Sequence, residues 1–388
     1  MPSKESVVDL LGELVGYPTV SNRPVDAIAA ALAQRAEDAG ARITAYETEP
    51  GKANVVARIG PDGTDGLVLS GHMDVVPTEG QNWTSDPFTM VERDDALYGR
   101  GTADMKGFLA AVTVALGELP THEFNRELVI IWTHDEEVGC HGSKVLADRW
   151  SEDISPLPSL AWIGEPTDMK ICRMHPGHTT LEVVCTGRPA HSSRPSLGLN
   201  AIHLAQRVLA VLEGVAEDWK KTTRFSEHLP SPFTVMNVGM IQGGKAINIV
   251  PDECSIQIGI RPLPGEDAQH RIDAIRNALR PVKAHARHLG GEIHVHHIQT
   301  APALLTESGT ALETLLRPHA SQPQPTGAPF ATDGGNLKEL GISSLIFGPG
   351  SIDVAHRPDE YIARKDLLQC VGTIHSVVRT RCILPKNA

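Results

Sequence analysis

Apolar positions recur every three to four residues over Val7 to Leu14 and Ala27 to Ala36, the period of a helix with one buried face. Asn54 to Ile59, Leu67 to Ser70, Leu128 to Thr133 and Leu160 to Ile163 are short apolar runs rich in Val, Ile and Leu, and they predict buried strands. Phe108 to Leu116 returns to helical spacing between them. Strands and helices in alternation predict an α/β sheet.

Prolines and glycines punctuate the stretch after Trp150, and the pattern changes near Gly177. From there it predicts strand (Thr179 to Cys185), helix (Ala201 to Lys221), strand (Phe233 to Ile241), strand (Cys254 to Ile260), helix (Ala268 to His288) and strand (Glu292 to Ile298). That order is the split β-α-β unit of ferredoxin-like α+β domains. Beyond Thr300 the alternation resumes with Ala311 to Leu316, Asn336 to Leu340, Ser344 to Phe347 and a last helix, Lys365 to Val378. The simplest organisation has residues 1–177 and 299–388 as two parts of one α/β domain, with 178–298 inserted as a smaller domain.

Composition narrows the classes. A chain of 388 residues exceeds the usual span of one core, which agrees with two domains. Lys and Arg number 35 against 47 Asp and Glu, a net charge of −12 that disfavours nucleic acid and anionic membranes as partners. No apolar stretch approaches the ~20 residues that span a bilayer, and Met1 to Glu5 lacks the apolar core of a signal peptide, so a cytoplasmic location is expected. The six cysteines are scattered without a CxxC pair and read as reduced, Cys140 as a small buried residue and not a ligand.

The candidate chemistry lies at strand ends. His72 and Asp74 follow Leu67 to Ser70, Glu136 and Glu137 follow Leu128 to Thr133, Glu165 follows Leu160 to Ile163, and His356 follows Ser344 to Phe347. In open α/β sheets ligands bind there. Asp104 lies in a glycine-rich turn before the Phe108 helix, where capping that helix is the plain alternative. Imidazole and carboxylate without thiolate suit Zn²⁺, Co²⁺ or Mn²⁺ in a hydrolytic site. In the adjacent pair Glu136-Glu137 one carboxylate can bind metal while the other handles protons, the alternative being a solvated acidic loop.

Ser70-Gly71-His72-Met73-Asp74-Val75-Val76-Pro77, Tyr98 to Gly107, Asp135-Glu136-Glu137-Val138-Gly139 and Gly164-Glu165-Pro166-Thr167 resemble the ordered motifs of the M20 metallopeptidase family. The resemblance runs over almost the whole chain. It implies a zinc-peptidase-like catalytic domain with a mixed sheet and an inserted ferredoxin-like lid, through which members dimerise. It also implies two divalent ions, zinc first and cobalt second. His72, Asp104 and Glu165 would hold one, and Asp104, Glu137 and His356 the other. Asp74 would bond the second nitrogen of His72, and Glu136 would be the general base. His191 would reach the tetrahedral oxyanion on lid closure, in some members from the partner subunit.

Gly164 to Lys170 and Gly348 to Tyr361 are most similar to the branch that releases acetate from N-acetyl-L-ornithine in arginine biosynthesis. The partner implied is thus a small N-acyl amino acid. Arg261 would take its carboxylate, with Asn248 as a weaker polar contact; Asp333 and Asp353 are available carboxylates for the side-chain ammonium, and spacing selects neither. Deacylases of acetylcitrulline, succinyl-diaminopimelate or other acyl-amino acids carry the same metal motifs. A catalytically silent binding protein on this fold would have lost Glu136 or a ligand, and all are present. Asp94-Asp95-Ala96 departs from the family's usual Asp-Gly turn, a change expected to touch only a hairpin, and Ala328 to Gly335 mixes features of several branches.

Overall fold

The computed structural model describes residues 6–153, 157–221 and 228–385. Two compact units divide the chain. The first comprises the chain up to Met174, Leu304–Ala328 and the residues from Thr332 onward, and the second His175–Ala303 with Pro329–Ala331.

In the first unit the apolar runs form the middle of a nine-stranded mixed sheet. Leu128–Thr133, Leu67–His72, Leu160–Ile163 and Ser343–Ile346 lie side by side and parallel. Every residue of the first three is buried, as parallel strands covered on both faces require. Lys52–Ile59 and Arg42–Glu49 extend one edge antiparallel. From Leu67–His72 the chain passes to a neighbour on one side and then to Leu160–Ile163 on the other. That reversal makes the carboxyl end of Leu67–His72 a switch point, the place where open α/β sheets bind ligands.

Helix Lys106–Glu118 lies on the sheet, and helices Val7–Val15, Asp26–Asp38 and Arg364–Val378 pack against it. One apolar cluster joins them, including Leu10, Leu11, Leu14, Leu32, Phe108, Trp162 and Phe347. Each such side chain contributes about 1.5–3 kcal/mol by leaving water. Gly164 lets the helix approach the strand end: a Cβ there would stand 2.0 Å from the Phe108 ring.

The pattern overlooked Arg42–Glu49, an edge strand whose residues are half-buried or exposed and so carry no apolar run. It overlooked also a small sheet of Val91–Arg93, Ala96–Tyr98 and Tyr361–Ala363. Asp94 and Asp95 form its hairpin, with φ of 50° and 59°. Asp tolerates that left-handed backbone and so replaces the usual Asp-Gly pair.

In the second unit Val235–Gly243, Glu253–Arg261, His178–Thr186 and Glu292–Ala301 form an antiparallel sheet in that order. Helix Ala201–Lys221 buries Leu204, Val208 and Leu212 in the core that holds Leu181, Val183, Ile256 and Ile258. The single helix expected over Ala268 to His288 is two, Ala268–Ala278 and Arg280–His288. Pro281 is the cause: it has no N–H for the helical ladder and instead fits the first turn of a new helix.

All six cysteines are free and buried. Among the described residues no helix is long and apolar enough to cross a membrane.

Candidate metal centre

The fold brings His72, Asp74, Asp104, Glu136, Glu137, Glu165 and His356 together in the first unit. His72 closes a buried strand, and its Nδ1 stands 2.9 Å from the Asp74 carbonyl oxygen. A carbonyl only accepts, so in the neutral ring Nδ1 carries the proton and Nε2 keeps its lone pair. Nε2 faces Asp104 Oδ1 at 3.0 Å and Glu165 Oε1 at 3.9 Å. The other oxygen of Asp104 is 3.2 Å from His356 Nε2, which lies 3.0 Å from Glu137 Oε2. Asp104 therefore stands between two imidazoles.

The Asp74 side chain makes other hydrogen bonds than the one expected with the His72 ring. Its carboxylate is 3.7 Å from the His72 ring nitrogen, whose partner is the Asp74 carbonyl. Instead Oδ1 accepts from the Glu136 N–H at 3.0 Å, and Oδ2 from the Glu137 N–H at 3.3 Å and the Ser21 hydroxyl at 2.8 Å. The side chain holds the acidic pair, while the backbone holds the ring.

The acidic segment is no solvated loop. His134, Asp135 and Glu136 are buried, and Asp135 has φ of 51°. Its carboxylate accepts from Lys52 Nζ at 2.6 Å and the Asn22 N–H at 2.9 Å. Cys140, buried and free as expected, donates its thiol to Glu136 Oε1 at 3.3 Å. Asp333, one of the two carboxylates available for an ammonium, is buried and accepts from Thr133 Oγ1 at 2.6 Å and Ser143 Oγ at 2.5 Å. It groups with Glu136 and Cys140 and is not a free carboxylate, whereas Asp353 is exposed. No spacing in the sequence ties Asp333 to Thr133, so only the fold could reveal it.

The remaining candidates lie in the second unit. His191 is exposed, with Nδ1 2.8 Å from Ser193 Oγ, and its backbone bridges to Ile249. The neighbouring Asn248 carbonyl accepts from the Ser192 N–H at 3.0 Å, so these two segments are joined. Arg261 ends strand Glu253–Arg261, where its charge, after burial, helps hold His178 down to about 4.

Burial crowds negative charge at the centre, and the ionisations respond. Burial raises Glu136 and Glu165 well above the usual carboxyl range, with neighbouring carboxylates adding to it. Burial and the Asp104 charge push Glu137 up to about 7. Hydrogen bonds to Asp104 and Glu137 raise His356 to about 10. Burial opposes a charge on His72, yet the Asp104 hydrogen bond and the surrounding carboxylates raise it well above its usual value. Against its own burial, Asp104 is held low by hydrogen bonds to His356 and His72.

Such a cluster fits divalent ions. Donors about 2.1 Å from one tetrahedral ion lie about 3.4 Å apart, close to the separations here. Ligand atoms of His72, Asp104 and Glu137 lie within 4.8 Å of one another, as do those of His72, Glu136 and Glu165.

Fold and site together define a metal-dependent hydrolase that acts on an amide bond. Residues 68–380 match the model of peptidase family M20/M25/M40, and the chain belongs to that family. An acetylornithine deacetylase of Proteus mirabilis is 34% identical over 367 residues, covering 92% of this chain and 91% of the relative. Among solved structures, an M20 metallo-carboxypeptidase from Sulfolobus solfataricus has a TM-score of 0.77 at 19% identity, covering 97% and 99% of the two chains. A dinuclear metal-binding M20 peptidase from Bacillus subtilis has a TM-score of 0.63 at 14% identity, covering 96% and 97%.

Proposed function

We propose that this chain hydrolyses N-acetyl-L-ornithine to acetate and L-ornithine, a step of arginine biosynthesis, as a cytoplasmic homodimer with two divalent ions per chain, zinc first and cobalt second. The observation that carries the two-ion reading is Asp104, whose oxygens face His72 at 3.0 Å and His356 at 3.2 Å. His72, Asp104 and Glu165 would hold one ion, and Asp104, Glu137 and His356 the other. When bound, the ions supply Lewis acidity for the scissile carbonyl and for a hydrolytic water.

The chain's own residues supply the rest. Glu136, buried and unpaired with either imidazole, takes a proton from water as the oxygen adds to the acetyl carbonyl. The C–N bond then breaks as Glu136 returns that proton to the leaving amine. Asp74 fixes the direction of Glu136 through its backbone N–H. His191 stabilises the tetrahedral oxyanion. Arg261 takes the α-carboxylate through its planar fork, and Asn248 adds a polar contact.

The acetylornithine deacetylase relatives support the substrate, at 34% and 35% identity over most of the chain. The dimer is supported by the edge strand Val235–Gly243, which leaves Met240 60% and Ile241 53% exposed beside a fully exposed Ile247. Comparing kcat/KM for N-acetyl-L-ornithine, N-acetyl-citrulline, N-acetyl-methionine and succinyl-diaminopimelate tests the substrate: acetylornithine ranks first on this account, and a last place refutes it.

A further inference from the structure

Asp104 and His356, two of the three side chains that would hold the second ion, sit on loops, and a network around one buried ion pair ties those loops together. Glu360 and Arg100 form an ion pair of 2.6 Å with both side chains almost wholly inaccessible. Glu360 Oε1 accepts three backbone N–H groups, from Gly101 at 3.1 Å, Ala103 at 3.0 Å and Asp104 at 3.1 Å. Gly101 sits at φ of 86°, where a Cβ would collide with Val75, so the turn closes tightly around that oxygen. Asp104 is thus pinned by its own N–H.

The same ion pair reaches the His356 loop. Arg100 donates to the Arg357 carbonyl at 3.3 Å and to Gln81 Oε1 at 2.7 Å, and its guanidinium lies 5.0 Å from the Trp83 ring. Gln81 Oε1 also accepts from Trp83 Nε1 at 3.0 Å, while its Nε2 donates to the His356 carbonyl at 3.0 Å. Arg and Trp only donate and a carbonyl only accepts, so this orientation of the amide is the one that satisfies all partners. His356 needs the support: its φ is 63° and its side chain is 49% exposed. His72, by contrast, is set in a fully buried strand.

We propose that Gln81, Arg100 and Glu360 are positioning residues, a brace that sets Asp104 against His356 and thereby governs occupancy of the second metal position. The proposal rests on the two-ion reading above. Gln81 acts through the His356 backbone and Glu360 through the Asp104 backbone, and Arg100 joins the two.

The test is a titration of metal-free protein with Co²⁺, followed by visible absorption and calorimetry, on wild type, Gln81→Ala and Glu360→Gln. Wild type takes two Co²⁺ per chain. In Gln81→Ala the second binds about 10–100-fold more weakly, as for other lost partners of metal ligands, while the first is unchanged. In Glu360→Gln the second weakens at least as much and the first weakens as well, because Asp104 would hold both. A lower melting temperature with both affinities unchanged would mean a merely structural role and would overturn the proposal. If Glu360→Gln fails to fold, Gln81→Ala decides alone, because it leaves the ion pair intact. A wild type that takes up fewer than two ions removes the two-ion reading itself, and with it the brace; that failure appears in the wild-type arm and not in the variants.

Discussion

Asp74→Asn separates two accounts of the same residue. Asp74 is fully buried, and its carboxylate accepts from Glu136 N–H, Glu137 N–H and the Ser21 hydroxyl. Asparagine keeps one acceptor and turns the other into an NH₂ group. Ser21 can reverse and accept from that group, but the Glu137 N–H, already the longest bond at 3.3 Å, then has no acceptor. A half-buried donor left unpaired costs about 1 kcal/mol, and the remaining bond loses its charge assistance, so about 1–3 kcal/mol of stability should go. The turn that aims Glu136 relaxes with it, and a displacement of about 1 Å lowers turnover about 100-fold. The His72 ring keeps its partner, since the carbonyl of residue 74 is untouched. Urea unfolding, kcat at saturating metal and Co²⁺ titration measure the three effects. If kcat recovers at saturating Co²⁺ while the tightest ion binds about tenfold or more weakly, the carboxylate acts through His72 and the present reasoning is wrong.

Three other outcomes follow from the site and its surroundings. Glu136→Gln should retain both ions and lose about 10²–10⁴-fold in kcat; near-wild-type turnover with two ions bound excludes Glu136 as the base. Lys52→Met leaves the buried Asp135 carboxylate without its 2.6 Å partner and should cost about 3–5 kcal/mol in urea unfolding, and a loss under about 1 kcal/mol would place Lys52 among surface-like pairs. His178, held down to about 4 mainly by burial with the Arg261 charge adding, stays neutral in the folded protein while the unfolded chain takes up a proton below about 6.5. Stability therefore falls as pH drops from 6.5 towards 4, by up to about 3 kcal/mol, and His178→Gln should flatten that slope; an unchanged slope in the variant assigns it to other groups.

The legible parts of the fold were those with a strong apolar signature. Leu67–His72, Leu128–Thr133 and Leu160–Ile163 are buried on both faces, so their sequences are continuous apolar runs. Arg42–Glu49 has one wet face and a polar sequence, and Val91–Arg93 is too short to show a period. The ligand-type residues stood out because imidazole and carboxylate at strand ends are unusual in a core. Their supports did not. Asp333, Cys140 and Glu360 touch the site across 200 residues or more of chain in the cases of Thr133–Asp333 and Asp104–Glu360, and nothing local distinguishes such a carboxylate from a surface one. Glu360 lies four residues beyond His356, within a segment already singled out; its burial, not its spacing, reveals what it does.

The central claim is that amide hydrolysis here requires two ions held by this set of side chains. Metal-free protein supplied with increasing Zn²⁺, with acetate released from N-acetyl-L-ornithine as the readout, tests it most directly. The account predicts no release without metal and a rate that climbs until two Zn²⁺ per chain are bound. Acetate release that ignores Zn²⁺, or none at two Zn²⁺ per chain, contradicts it.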